Sequence, residues 1–118
     1  MSMATTSRIM DETDARLRAA RNDDEVRRIG IDHVTALGAD LANTAYLKLV
    51  SRPELTVDQQ AGFLQDTIAD LMANIEDLFA RQGMTDVTLL AEHLEGAETG
   101  FVGRLDELFF VVRIGGQA

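Results

Sequence analysis

The chain has 118 residues, 46% of them hydrophobic, which is enough for one domain with a single buried core. It contains no cysteine, which excludes a disulfide framework, a thiolate metal site and a cysteine nucleophile. The formal net charge of −9 disfavours direct binding to nucleic acid or to an anionic membrane, because carboxylates repel phosphate groups.

The acidic side chains are concentrated in one part of the chain. Residues 53–100 contain ten acidic residues and one basic residue, Arg81. Residues 1–52 hold eight of each sign, and residues 101–118 hold two of each. The net charge therefore comes from the middle stretch, and this kind of segregation influences partner choice and encounter rate.

Neither a signal peptide nor a membrane span is predicted. The first ten residues have no apolar region of the kind that a secretory signal requires. No stretch of the sequence approaches the roughly 18 uncharged apolar residues of a membrane-spanning helix. We therefore expect a cytoplasmic protein with no membrane association.

Apolar residues recur at helical spacing almost throughout and there is one proline, so the sequence predicts an all-α fold, a small bundle of about four helices. Residues 1–9 are expected to be a flexible N-terminus and residues 10–115 a single helical-bundle domain. A first, short helix is expected from about Asp11 to Arg21, with acids in its first turn and arginines in its last.

The second helix is expected to run from Asp23 to about Ser51. Asn22 and Glu25 have the spacing of a capping box at its start, and Pro53 forbids its continuation. The predicted inner stripe consists of Gly30, Val34, Leu37, Leu41 and Ala45.

The third helix is predicted from Val57 to Gln82, with a capping box at Thr56 and Gln59 and a left-handed ending at Gly83. Its apolar seam advances in steps of four and three residues, as a buried helix face does. The seam comprises Leu64, Ile68, Leu71, Ile75 and Leu78. The acids on the opposite side are Asp58, Asp66, Asp70, Glu76 and Asp77.

The fourth helix is predicted to open at Thr85 and to stop at Gly115. Its glycines at 96, 100 and 103 are expected either to mark a kink or to let a neighbouring helix approach closely. Its apolar stripe keeps one helical phase over 25 residues, through Val87, Leu90, Leu94, Ala97, Phe101, Leu105, Leu108 and Val112.

The end of the fourth helix is apolar all round, which requires cover on more than one side. We therefore predict a homodimer whose interface includes Phe109, Phe110, Val111 and Ile114. One alternative is that the short first helix covers this end within a single subunit. A second alternative makes residues 109–114 a β-strand, although the sequence offers no second strand to pair with it.

Few residues have the spacing of a chemical site. His33 and His93 lack a histidine or cysteine three or four residues away, so we interpret them as surface or boundary residues rather than metal ligands. Glu92, Glu95 and Glu98 are spaced by three, and Asp66 and Asp70 by four, so each set could share a magnesium ion. Both sets are predicted to point away from the core and from each other. The sequence therefore predicts no catalytic residues, no metal site and no cofactor.

One short stretch resembles a known enzyme family. Glu92, His93, Leu94 and Glu95 resemble the E-x-x-E pair with which all-helical nucleotide pyrophosphohydrolases of the MazG and dUTPase type hold magnesium on nucleotide phosphates. Leu105 to Phe110 resembles the surroundings of that family's second pair, E-x-x-D, but Phe110 stands where its aspartate would be. The resemblance implies an alternative function as a magnesium-dependent nucleotide hydrolase.

The leading hypothesis is a non-enzymatic module that docks the acidic face of residues 53–100 on a basic surface of another protein. Such a module would act as an inhibitor, regulator or adaptor, and carboxylates would set its on-rate and salt dependence. A narrower form is a nucleic-acid mimic that blocks a nucleic-acid-binding protein. A further alternative is a structural subunit that only dimerises. The predicted partner-binding residues are Asp66, Asp70, Asp77, Glu92 and Glu95.

Overall fold

The computed structural model describes the backbone of residues 3–117 and the side chains of residues 6–109. Within that range it has four α-helices and no β-strand, which confirms the all-α prediction and excludes a strand at 109–114. No helix in the described part has the length and apolar character that crossing a membrane requires. The helices are α1 (Met3–Ala19), α2 (Asp23–Val50), α3 (Val57–Arg81) and α4 (Val87–Gln117).

The starts of α2, α3 and α4 are set by polar side chains that cap free backbone N–H groups. Asn22 accepts a hydrogen bond from the Glu25 N–H, as predicted, while the Glu25 carboxylate accepts from the Arg21 N–H instead of closing the box on Asn22. The box at Thr56 and Gln59 is complete. At α4 the capping side chain is Asp86, one residue later than the predicted opening, and it accepts from the Leu89 N–H at 3.0 Å.

The ends of the outer helices differ from the sequence prediction. α1 begins at Met3 rather than near Asp11, and its Ile9 is buried against the rest of the protein. The division into a flexible segment at 1–9 and a domain at 10–115 stays a prediction. The predicted stop of α4 at Gly115 is wrong, since the helix continues to Gln117. A glycine weakens a helix by about 1 kcal/mol relative to alanine but does not forbid it.

The turn after α3 has the predicted left-handed ending. Gly83 has a φ of 69°, a conformation that a side chain disfavours. The Met84 N–H donates to the Phe79 carbonyl at 2.9 Å, and the Gly83 N–H donates to the Ala80 carbonyl at 3.1 Å. These bonds satisfy the last carbonyls of α3 and turn the chain towards α4.

The helices form a three-helix unit of α2, α3 and α4, with α1 on the outside. α2 and α4 run parallel, as the contacts of Gly38 with Ala97 and of Asn43 with Arg104 show. α3 runs antiparallel to α2, because Val34 clusters with Ile75 near one end while Ala45 clusters with the Phe63 region near the other. The resulting molecule is elongated, with extents of 49 × 25 × 23 Å.

α2 and α4 form the closest helix pair, and glycines make this possible. A Cβ added to Gly38 would overlap the Ala97 carbonyl oxygen, and one added to Gly100 would overlap the Thr35 carbonyl oxygen. A Cβ on Gly96 would lie 3.1 Å from Thr35 Oγ1, whereas one on Gly103 would meet nothing within 4 Å. Of the two roles predicted for these glycines, close approach is therefore the one that Gly96 and Gly100 serve.

The core consists of two clusters stacked along the bundle. The first joins Val34 with Leu71, Ile75, Phe79 and Ala97, and the second joins Ala42 and Ala45 with Phe101 and Leu105. The predicted seams are correct in their middle and drift at their ends.

The drift is clearest at the ends of α3 and α4 and along α2. Leu78 is 52% exposed while Phe79 is buried, and Val87 is 76% exposed. In α2, Gly38 and Ala42 are buried in place of Leu37, which is half-buried. A seam extrapolated with a fixed angle per residue therefore misplaces positions where the neighbouring helix ends or crosses.

α1 packs on α2 and, among the described residues, contacts neither α3 nor α4. The alternative in which α1 covers the end of α4 concerns side chains outside the described residues, so it stays a prediction. Of the predicted dimer residues, Phe109 packs edge-on against Tyr46 with ring centroids 5.6 Å apart. The side chains of Phe110, Val111 and Ile114 lie outside the described residues, so the homodimer stays a prediction.

Candidate protein-binding surface

The five acids of α3 are exposed and lie on two edges of the helix. Counted at 100° per residue, Asp66, Asp70 and Asp77 fall within about 40° of one another, whereas Asp58 and Glu76 share a second direction roughly 100° away. Arg81 is the one basic residue of α3. We call the row formed by Asp66, Asp70 and Asp77 the acidic edge.

Ion pairing leaves most of the acidic edge available. Asp77 pairs with Arg81 at 2.8 Å, but both side chains are more than half exposed, and such pairs contribute little free energy. Asp66 and Asp70 form no ion pair with the side chains that the structure describes. A basic partner would therefore meet two unpaired carboxylates and one weakly paired carboxylate.

One residue of the acidic edge, Asp70, lines a groove between α2 and α3. This α2–α3 groove has a volume of about 350 Å³ and an apolar floor that includes Leu41, Ala45, Phe63 and Leu71. Its rim carries Thr44 and Lys48 on α2, and Thr67, Asp70 and Asn74 on α3. The sequence does not predict this feature, because the groove depends on the separation of the two helices.

The two predicted partner-binding residues of α4 lie elsewhere. The Arg27 guanidinium donates from Nε to Glu92 Oε2 at 2.8 Å and makes a second hydrogen bond to Oε1, and the hydrogen bond to Glu92 raises the pKa of Arg27. Glu92 and Arg27 line a shallow cleft with Asp24, Arg28 and Ile31 of α2. Glu92 thus serves the contact between α2 and α4.

Glu95 occupies a different surface again. It is exposed and lines a shallow cleft with Glu98, Thr99, Val102 and Gly103, all of α4. The structure therefore brings Asp66, Asp70 and Asp77 together and does not bring Glu92 or Glu95 to them. Tertiary arrangement decides this, since Arg27 and Glu92 are 65 positions apart in the chain.

The carboxylates do not converge as a magnesium site requires. Within the described residues, no three histidine, aspartate or glutamate side chains come close enough to hold a metal ion together. Glu92 is turned towards Arg27, and Asp70 faces the α2–α3 groove. The arrangement gives no support to the hydrolase alternative, which needs two carboxylate pairs around one ion.

The two histidines belong to helix contacts. His33 Nδ1 and Thr13 Oγ1 share a hydrogen bond of 2.6 Å, which joins α2 to α1.

His93 is 8% exposed, so its interpretation as a surface or boundary residue is wrong. Its Nδ1 is 2.8 Å from the Leu89 carbonyl oxygen, and its ring stands edge-on to Phe79 at a centroid distance of 5.1 Å. A Cβ on Gly30 would lie only 2.7 Å from His93 Nε2, so the glycine makes room for this ring.

Asp40 is a buried acid that the sequence analysis did not single out. It is 8% exposed, and its Oδ2 has no hydrogen-bond partner in the described part of the chain. Nothing in the spacing of α2 distinguishes this carboxylate from its exposed neighbours, which explains why sequence reasoning missed it.

Known proteins offer no guide to this surface. No family model matches the chain, and neither the curated proteins nor the solved structures contain a match. The functional argument therefore rests on the geometry and charge of the described residues.

Proposed function

We propose that this protein is a non-enzymatic binding module that docks the acidic edge of α3 on a basic surface of a partner protein in the cytoplasm. The observation that carries the proposal is the exposed row of Asp66, Asp70 and Asp77, whose middle member, Asp70, lines an apolar groove. Charge at a rim of this kind speeds encounter and selects partners, and adjacent apolar contacts supply most of the affinity.

The charge density of the acidic edge is too low to imitate duplex DNA, which favours an ordinary basic surface over a nucleic-acid-binding site as the partner. Asp66 and Asp77 are eleven residues apart, so three carboxylates span about 16 Å at a helix rise of ~1.5 Å per residue. Duplex DNA carries roughly ten charges over the same length, one per ~1.7 Å. The acidic edge has about a third of that density. Docking on a basic protein surface therefore agrees better with this charge density than nucleic-acid mimicry does.

The experiment compares capture of partners by two variants with equal net charge. In the first variant Asp66→Asn, Asp70→Asn and Asp77→Asn remove the acidic edge. In the matched control Asp58→Asn, Glu76→Gln and Glu98→Gln remove three exposed carboxylates that do not border the groove. Each protein is immobilised and exposed to lysate of the native cell at about 50 and about 500 mM salt, which spans weak and strong screening.

At low salt we expect the wild type and the control to capture the same proteins and the acidic-edge variant not to capture them. At high salt we expect none of the three to capture these proteins. Circular dichroism establishes that all three proteins are folded. Equal capture by the acidic-edge variant and the control, or capture that salt does not change, would contradict the proposal.

A further inference from the structure

The α2–α3 groove lies where a further helix could pack against α2 and α3. α4 packs against α2 and α3 on one side of the bundle. On the other side, all of the described residues that line the groove belong to α2 and α3. α1 packs on α2 without entering it. A helical bundle ordinarily buries such an apolar floor with another helix.

The groove spans about three helical turns along α3, and apolar residues beyond both of its ends extend it. Phe63 and Asn74 both line it and are eleven residues apart, or about 16 Å along α3. Leu78 lies one turn further with nearly the same helical phase as Asn74 and is exposed. At the other end, a smaller cavity of about 210 Å³ shares Lys48 and Phe63 with the groove and adds Leu49 and Leu55. An amphipathic helix fills a groove of these dimensions with anchors at i, i+3 or i+4, and i+7.

Charge decides which helix fits. On the α3 side one carboxylate, Asp70, lines the groove, and the α2 rim supplies one cation, Lys48. The other two carboxylates of the acidic edge, Asp66 and Asp77, lie within about 40° of Asp70 around the helix and are exposed. A second copy of the chain is a poor occupant of the groove, because none of its four helices has more basic than acidic residues. Its α1 carries three arginines and three acids and is therefore not basic.

We propose that the α2–α3 groove binds an amphipathic helix of a partner protein that has lysine or arginine along one edge. Its apolar face covers Leu41, Phe63 and Leu71, and its basic edge lies beside the acidic edge of α3. The inference rests on the proposed function for its electrostatic part and adds the groove as the source of affinity.

The test measures binding of a fluorescein-labelled synthetic peptide by fluorescence anisotropy. The peptide has about 18 residues, leucines at i, i+3, i+4 and i+7, and lysines along one edge. A scrambled peptide of identical composition serves as its control. The protein variants are Thr67→Trp and Asn74→Trp, each of which fills the groove, and Gln65→Trp, which adds the same bulk to an exposed position 200° around α3 from Thr67.

We expect the amphipathic peptide to bind the wild type and Gln65→Trp with equal affinity. Both groove variants should bind it at least about tenfold more weakly, because the apolar anchors of the peptide lose their pocket. The scrambled peptide should bind the wild type as weakly as the amphipathic peptide binds the groove variants. Two groove variants keep the test valid if one of them fails to fold, which circular dichroism shows.

The remaining outcomes separate this inference from the proposed function. Equal binding by the groove variants and Gln65→Trp, or no binding of the amphipathic peptide by the wild type, would overturn the groove inference. If the wild type and the groove variants bind the peptide equally, loss of binding in the acidic-edge variant would still support the proposed function. If the wild type does not bind the peptide, the proposed function is tested by the capture experiment alone. Unchanged binding in the acidic-edge variant would overturn the electrostatic proposal, whatever the groove variants do.

Discussion

At Gly100, α4 lies so close to α2 that an added side chain would strike the Thr35 backbone. Three residues later, at Gly103, the same helix faces open space. Sequence alone predicts a role for both glycines without distinguishing them, because the direction of each depends on where α2 lies. Close packing of this kind transmits the effect of a single methyl group to both helices.

We predict that Gly100→Ala lowers the free energy of unfolding by about 1–3 kcal/mol, the cost of overpacking against a backbone that cannot move aside. Gly103→Ala is the matched control and should raise the free energy of unfolding by up to about 1 kcal/mol, because alanine favours a helix. Urea denaturation of the three proteins measures both changes. A Gly100→Ala protein as stable as the wild type would show that the two helices are not in close contact.

At the scale of single elements, α1 depends on few contacts. Ile9 is buried, Thr13 bonds to His33, and Arg16 pairs with Asp32 at 3.0 Å with both side chains about half exposed. Burial lowers the pKa of His33 below its ordinary value of 6.5, nearby Asp14 raises it, and His93 lowers it. We therefore expect the attachment of α1 to weaken in acid.

The pH dependence follows from this lowered pKa. The unfolded chain takes up a proton at His33 near pH 6.5, while the folded protein does so only at lower pH. The contribution of neutral His33 to stability is thus complete above pH 6.5 and is lost as pH falls through the folded pKa. We predict that between about pH 7 and pH 5 the free energy of unfolding falls more steeply for the wild type than for His33→Gln. Parallel pH profiles would contradict this.

The sequence predicts the helices well and their assembly poorly. Four helices, the capping box at Thr56 and the glycine ending at Gly83 depend on neighbouring residues and were correct. The grouping of the acids with Glu92 was not, because the direction of Glu92 is decided by Arg27 on another helix. The α2–α3 groove was invisible for the same reason, since it depends on the distance between two helices.

The whole molecule exposes more surface than a compact monomer does. A compact protein of 12.9 kDa exposes about 6,300 Å², whereas this chain exposes 8,057 Å². The difference, roughly 1,700 Å², is about twice what one partner loses in an interface of standard size. The radius of gyration of 16.0 Å, compared with about 13.5 Å for a compact domain, agrees with this excess. An elongated shape of 49 × 25 × 23 Å accounts for this excess, and it leaves area that a second copy or a partner could cover.

We predict that sedimentation equilibrium gives a mass close to twice 12.9 kDa. The sequence-based interface implies that Phe110→Glu shifts the protein to the monomer, because a carboxylate is costly to bury between apolar side chains. A monomeric wild type would contradict the dimer prediction, and a variant that still dimerises would contradict the predicted interface. Neither result affects the α2–α3 groove.

Magnesium should have no specific effect on the fold. A ligand that binds only the folded state raises the melting temperature by mass action. Because Glu92 is paired with Arg27 and Asp66 and Asp70 lie on α3, we predict equal melting temperatures with and without a few millimolar magnesium at matched ionic strength. A marked stabilisation would instead favour the hydrolase alternative.

The most direct test of the account is to map where a basic helix binds. Uniformly ¹⁵N-labelled protein is titrated with the lysine–leucine peptide and followed by amide chemical shifts. We predict changes concentrated along Thr44–Lys48 and Phe63–Leu78, the two sides of the α2–α3 groove, that diminish as salt rises towards about 500 mM. Changes centred on α1 or around Glu95 of α4, or changes that salt leaves untouched, would contradict the claim that the acidic edge of α3 and its groove form the docking site.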